Sequence, residues 1–232
     1  MSRVSLIGMT TPSAYTGCNR AEELVAYAAR VSNPENQNNT QTAAKLLRYL
    51  IKNAHWSPLE VVSITMEIVT TRDISRQILR HRSFSFQEFS QRYAKSAYFT
   101  SREARLQDPK NRQNSIELDL GEYGKGGGAQ DSTYQTRLAE TWHMKQHEVI
   151  NKSRAVYEWA LENGIAKEQA RAVLPEGNTE TTLYMAGTLR SWVHYCELRR
   201  ENGTQKEHMV IANKCWDIIG QHFPSVVEAL ND

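Results

Sequence analysis

Val62-Ser63-Ile64-Thr65-Met66-Glu67-Ile68 alternates apolar and polar side chains at every step. A period of two puts Val62, Ile64, Met66 and Ile68 on one face of an extended chain, the pattern of a strand buried on one side. Upstream, Val4-Ser5-Leu6-Ile7 begins a second short strand, which Thr11-Pro12 breaks. Two amphipathic helices are expected between them. Asn19 caps the first with Glu22 at its third position, and Leu24, Val25, Ala28 and Val31 form a stripe that stops before Asn33-Pro34. Thr40 caps the second, where Ala43, Leu46, Leu47, Leu50 and Ile51 repeat at helical spacing.

Downstream of the alternating stretch, Asp73 caps a short helix carrying Ile74, Ile78 and Leu79, which runs into Arg80-His81-Arg82. Residues 96–132 lose periodicity and collect Gly121, Gly124, Gly126, Gly127 and Gly128 near their end, so a long irregular excursion is expected there. No G-K-[ST] follows the glycine triplet, which therefore reads as a loop and not as a phosphate cradle. Leu138, Trp142, Val149, Val156 and Ala160 describe a long helix from Tyr134 to Asn163, closed by Gly164. A shorter helix ends at Leu174-Pro175, Thr182–Ala186 reads as a strand, and Leu189, Trp192, Val193 and Cys196 mark another helix. Thr204 with Glu207 opens a last long helix through Met209, Ala212, Trp216 and Ile219, ending at Gly220. The order predicts an α+β fold: one domain over residues 1–232, with a central antiparallel or mixed sheet and packed helices.

Composition excludes some classes of function. The 232 residues carry 28 Lys+Arg against 26 Asp+Glu, a net charge of +2 that gives no general attraction to nucleic acid or to an anionic membrane. The apolar stretch in Met1–Gly8 is too short for a signal sequence, and no apolar run approaches the roughly 18 residues of a membrane span, so a cytoplasmic protein is expected. Cys18, Cys196 and Cys215 are widely spaced and form no C-x-x-C pair, which predicts reduced thiols.

The chemistry concentrates between Arg72 and Arg92, where five arginines and His81 face only Asp73 and Glu88. Planar, permanently charged guanidiniums at this density suit phosphate. If Arg80 and Arg82 are helical they point about 200° apart and can serve two ligands. Glu88 and Ser90 add acceptors and a hydroxyl, and Phe84, Phe86 and Phe89 interleave as a binding wall would require. Mixed polarity of this kind fits a nucleotide better than bare phosphate. Cys196 and Cys215 lie in amphipathic helical patterns, where buried inert thiols are expected, and Ser90 has no evident base. His143 and His147, four apart on the long helix, lack a third ligand at a diagnostic spacing, so no metal site is expected. His55, His208 and His222 are individually uninformative.

The run Gln77-Ile78-Leu79-Arg80-His81-Arg82-Ser83-Phe84-Ser85-Phe86-Gln87-Glu88-Phe89-Ser90-Gln91-Arg92-Tyr93 resembles the signature of flavin-dependent thymidylate synthases. His55-Trp56-Ser57-Pro58-Leu59-Glu60 is similar to the family's upstream element. Ala170-Arg171-Ala172-Val173-Leu174-Pro175, then Arg190-Ser191-Trp192-Val193-His194 and Glu197-Leu198-Arg199, are similar to its C-terminal elements. Four motifs thus follow in family order over roughly residues 20 to 220. The resemblance implies FAD contacts at Ser57, Arg80, His81, Arg82, Glu88, Thr188, Leu189, Arg190 and His194, with His55 at the folate and flavin edge. It implies dUMP contacts at Gln77, Ile78, Leu79, Arg80, Glu88, Phe89, Ser90, Gln91, Arg92, Arg171 and Arg199. Arg199 is the residue expected to act catalytically, on the uracil ring. NADPH as reductant, methylenetetrahydrofolate as one-carbon donor and a homotetramer with shared sites are implied in the same way. The chain departs from many members at Thr188-Leu189, where they have Asn-Ala, at Gln87, where they have Asn, and at Leu59 and Val61, where Phe and His are commoner.

A single-stranded nucleic-acid-binding module is the rival reading, with the Arg72–Arg92 segment supplying charge and Phe84, Phe86 and Tyr93 supplying stacking platforms. It assigns nothing to Arg171, Arg190, His194 or Arg199, and the near-neutral total charge opposes it.

Overall fold

The computed structural model describes residues 2–96, 98–120 and 129–231. The glycines from Gly121 to Gly128 lie outside the described residues. The alternating stretch forms the central strand β2 (Ser63–Thr71), flanked by β1 (Arg3–Met9) on one side and by β6 (Glu180–Thr188) on the other. The short β3 (Ser85–Glu88) closes the far edge, giving the antiparallel order β1-β2-β6-β3. Ile64, Met66 and Ile68 are fully buried, as the period of two requires, and each such side chain contributes about 1.5–3 kcal/mol by leaving water. Leu6, Met66, Met185 and Phe86 form one row across the inner face, and Val4, Ile68, Leu183 and Glu88 the next. This register turns Glu88 inward. The opposite face carries the row Ser5, Glu67, Tyr184 and Gln87 and stays partly open to solvent.

The inner face is covered by α1 (Ala21–Ala29), α2 (Ala43–Lys52), α3 (Arg72–Ile78), α6 (Leu189–Arg200), α7 (Lys206–His222) and α8 (Pro224–Asn231). Val25, Leu47, Trp192 and Ile211 from four of these helices, with Phe223 at the junction of α7 and α8, join the sheet residues in one core. Helix starts differ from expectation by one or two residues. The cap of α1 is Arg20, not Asn19, because the Glu23 carboxylate accepts from both the Asn19 and Arg20 amides at 2.7 and 3.3 Å. Val31 falls beyond that helix and is exposed. Thr42 precedes α2 in place of Thr40, Thr71 precedes α3 in place of Asp73, and Gln205 precedes α7 in place of Thr204. Helix α7 runs through Gly220 to His222, and α8 follows where none was foreseen.

The excursion from 96 is partly ordered. A hairpin of β4 (Arg105–Gln107) and β5 (Ser115–Glu117) interrupts it, and α4 (Ala129–Glu162) begins before Tyr134. Gln146, Ile150, Tyr157 and Ala160 are buried along α4, whereas Trp142 and Val149 are exposed, so the apolar stripe sits elsewhere than expected. Gly164 ends the turn after α4 at a positive φ of 77°, followed by the short α5 (Lys167–Ala170). Among the described residues no helix is long and apolar enough to cross a membrane.

Candidate active site

Helix α6 organises the site. Thr188 caps it, the hydroxyl accepting from the Ser191 amide at 3.2 Å, and the fully buried Leu189 anchors the first turn. The tight turn Ser57–Val61, with Pro58 near its start, lies against one side of α6. Trp56 meets the His194 ring edge-on at 4.6 Å, and Glu60 is ion-paired with Arg190. Ser57 is exposed on this rim, and exposed His55 approaches Tyr49 at 6.1 Å between rings.

The opposite side of α6 carries the arginine-rich turn. Helix α3 stops at Ile78, with the Leu79 amide donating to the Ser75 carbonyl, so Arg80-His81-Arg82 is not helical and the expected 200° separation does not apply. The turn instead runs antiparallel along α6. Ser191 donates to the Ser83 carbonyl at 3.3 Å, and Phe84 packs edge-on against Trp192 at 4.9 Å. A Cβ on Gly187 would lie 2.4 Å from the Phe84 ring, so glycine is required beneath it. Arg80 and Arg82 are exposed and make no hydrogen bond or ion pair among the described residues.

His81 reaches the C-terminal end of α6, where its Nε2 accepts from Arg199 Nε at 2.9 Å. Burial, reinforced by the Arg199 and Arg80 charges, pushes the His81 pKa down to about 4, so the ring is a neutral acceptor at pH 7. Arg190 and His194 therefore face the 56–60 turn while Arg199 faces His81. Neighbouring Arg200 has a different occupation: it lies over the Trp216 ring at 4.7 Å and donates to Asn213 at 2.9 Å.

Strand β3 leads to a third cluster. Glu88, turned inward by its register, accepts from Ser75 and Thr181, both at 2.9 Å, with Arg72 at 3.7 Å. Beyond it the Ser90 hydroxyl accepts from the Arg92 amide at 3.3 Å. Arg92 and Arg171 converge on Glu168, one through its carboxylate at 3.5 Å and the other through its carbonyl at 3.3 Å. Phe89 is exposed, whereas Gln91 is buried and donates to Ser96. The Ile78 side chain is wholly in the core, leaving only its backbone for a ligand, and Leu79 is half-buried. Among the described residues no hydrogen bond or ion pair joins the Ser90–Arg92–Arg171 cluster to Ser57, Arg190 or His194.

Sequence reasoning missed the polar residues behind this surface. His208 is fully buried, with Nε2 at 3.1 Å from the Tyr195 hydroxyl and Nδ1 at 3.3 Å from Gln77 Oε1. It follows Lys206 and Glu207 in the first turn of α7, where a histidine reads as one more polar surface residue, so nothing in the one-dimensional pattern marks it. Cys196 and Cys215 are buried thiols whose pKa values burial pushes up, away from thiolate chemistry. The exposed rings of His143 and His147 stand 4.4 Å apart, and among the described residues no three His, Cys, Asp or Glu side chains gather as a metal site. A cavity of about 850 Å³ lies away from α6's arginine turn, between the β4–β5 hairpin, α4 and the start of α7. Volume alone therefore does not locate the residues singled out above, which line an open surface.

A family profile described as "Thymidylate synthase complementing protein" matches residues 14–225. The "Probable flavin-dependent thymidylate synthase" of Paramecium bursaria Chlorella virus 1 is 50% identical over 228 residues, 97% of either chain. The chain belongs to this family. It is an enzyme of the flavin-dependent thymidylate synthase type, and a second member, from Synechocystis sp., is 48% identical over 90% of this chain and 89% of that protein. The fold agrees with the family assignment. The crystal structure of the UMP/dUMP methylase PolB from Streptomyces cacaoi bound with 5-Br dUMP superposes with a TM-score of 0.74 at 26% identity, covering 100% of this chain and 95% of the other.

Proposed function

We propose that the enzyme methylates dUMP to dTMP, with FAD as bound cofactor, NADPH as reductant and methylenetetrahydrofolate as one-carbon donor. The observation that carries this reading is the Arg199–His81 pair. A neutral imidazole holds Arg199 at Nε, and its terminal nitrogens have no partner among the described residues. A guanidinium presented in this way stabilises negative charge developing on uracil as nitrogen-3 loses its proton, which activates carbon-5. No protein nucleophile is required, in keeping with the raised pKa values of Cys196 and Cys215.

The residues present fit a dinucleotide cofactor. Arg80 and Arg82 offer two exposed guanidiniums, unpaired among the described residues and the natural complement of a diphosphate, and the Trp56–His194 pair offers an aromatic wall beside Arg190. Ser57, Arg80, His81, Arg82, Glu88, Thr188, Leu189, Arg190 and His194 would hold FAD, Leu189 through its backbone, with His55 at the folate edge. FAD supplies, when bound, the hydride that helps complete the methyl group. On the nucleotide side, Ser90, Arg92 and Arg171 take the phosphate, while Gln77, the backbone of Ile78 and Leu79, Arg80, Glu88, Phe89, Gln91 and Arg199 surround the rest. The separation of the clusters within one chain and the partly open sheet face support a homotetramer that shares its sites. The enzyme works as one domain in the cytoplasm, without nucleic acid or membrane partners.

The test is anaerobic mixing of purified protein with NADPH, followed at the flavin absorption band. A yellow protein, bleached faster when dUMP is present, is the expected result, with light scattering near four times 26.5 kDa. A colourless protein that takes up no added FAD overturns the reading.

A further inference from the structure

The polar residues behind the arginine turn form one directed chain, whose polarity follows from its far end. Glu207 is paired with Arg102 at 3.2 Å and with Arg105. Burial works against its charge, but its backbone amide and the two guanidiniums outweigh that and hold the carboxyl below the usual range. An ionised carboxylate only accepts, so Gln205 turns its Nε2 toward Glu207, at 2.9 Å. The Gln205 oxygen then faces Gln77 and accepts from Gln77 Nε2 at 2.7 Å. Gln77 is left with its oxygen toward His208, so the proton of the neutral imidazole must sit on Nδ1, 3.3 Å away. That leaves Nε2 as acceptor for the Tyr195 hydroxyl at 3.1 Å. Tyr195 in turn packs edge-on at 4.9 Å against His81, the ring that accepts from Arg199.

Two residues assigned above to the pyrimidine nucleotide, Gln77 and Arg199, are thus linked behind the site through His208, which touches Gln77 directly and Arg199 by way of Tyr195 and His81. We propose that His208 is a positioning residue for dUMP, holding the oxygen end of the Gln77 amide in place opposite Gln205 and bracing, through Tyr195 and His81, the guanidinium of Arg199. The proposal rests on the dUMP reading of this site. Without His208 the Gln77 amide loses the partner that opposes Gln205, and the Tyr195 hydroxyl is buried with no acceptor, a loss of stability as well as of geometry.

Those two losses separate in a set of three variants. His208→Leu is expected to lower both thermal stability and dUMP affinity. Tyr195→Phe combined with His208→Leu removes the stranded hydroxyl, so stability recovers while dUMP affinity stays about tenfold weaker, the scale of one hydrogen bond. His208→Gln supplies both a donor and an acceptor and is expected to bring affinity back to within about threefold of the parent, a residue of less than half that loss. Affinity is read by dUMP titration of the FAD-loaded protein in a calorimeter, and FAD content is measured in parallel and expected to be unchanged. If the double variant binds dUMP as tightly as the parent, His208 is only a packing residue and the proposal fails while the dUMP reading stands. If the parent itself does not bind dUMP, both fail together.

Discussion

The two sides of α6 hold arginines in opposite surroundings. Arg190 and its partner Glu60 are 43% and 48% exposed. Arg199 instead bonds a half-buried imidazole that rests on Tyr195 and lies near the wholly buried His208. An exposed ion pair contributes about 0–1 kcal/mol, so Arg190 can leave Glu60 for a ligand at little cost. Arg199 is held by a ring that is itself packed against buried side chains. One side of the helix is an adaptable grip and the other a preset one, and charge stabilisation in a reaction depends on the preset kind.

The sharpest way to break this contrast is Arg199→Ala, which is expected to lower dTMP formation about a hundredfold or more, the scale for removing one preorganised donor. Flavin content and oligomeric state should be unchanged, and near-normal turnover in a steady-state dTMP assay would reduce Arg199 to an ordinary helix-end cation. The preset side should also be the acid-sensitive one. Burial, helped by Arg199, pushes His81 to about 4 and His208 to about 3, both from 6.5. Below that value the unfolded chain binds protons that the folded chain refuses. Unfolding free energy therefore falls as pH drops from 6.5 toward 4, by up to about 1.4 kcal/mol per pH unit for the buried His208 and by less for the half-exposed His81, where solvent screens the effect. Urea unfolding at several pH values measures the slope, which His208→Gln should make shallower, and a flat profile would contradict the buried neutral rings.

On the adaptable side, Arg190→Ala should weaken FAD binding about tenfold, as loss of one charge-assisted contact does, while changing stability by less than about 0.5 kcal/mol. Flavin titration and thermal melts separate the two effects, and a large stability loss would show that the Glu60 pair is structural. The smallest effect is expected from Arg200→Ala, where losing the contact with Trp216 costs about 0.5–1 kcal/mol and leaves dTMP turnover unchanged.

The same contrast governs what could be read from sequence. Strand β2 was legible because burial on one face imposes a period of two on consecutive residues, and α2 because its stripe repeats along its own helix. The motif residues were legible as a family signature, though not as geometry, since Arg80-His81-Arg82 has the composition of a helix continuation and only the stop at Ile78 and the seating of Phe84 make it a turn. The β4–β5 hairpin was not legible, because Arg105-Leu106-Gln107 and Ser115-Ile116-Glu117 are too short and exposed to show an apolar face. Arg105 ties it down to Glu207, about a hundred residues away in sequence. His208 was hidden for the same reason: its partners come from α3 and α6, and local periodicity carries no information about contacts between helices.

Gly187 shows how narrowly this arrangement is drawn. With the Phe84 ring pressed against its Cα and held from behind by Trp192 and Tyr195, the position has no room for one added methyl group. Such a methyl would lever the His81–Phe84 segment away from α6, although residue 187 bears no side chain and no reactive atom. The lineage of this protein is therefore less free to drift at a silent hydrogen on strand β6 than at many of the charged residues on its surface, and a library randomised at that codon should return almost nothing but glycine.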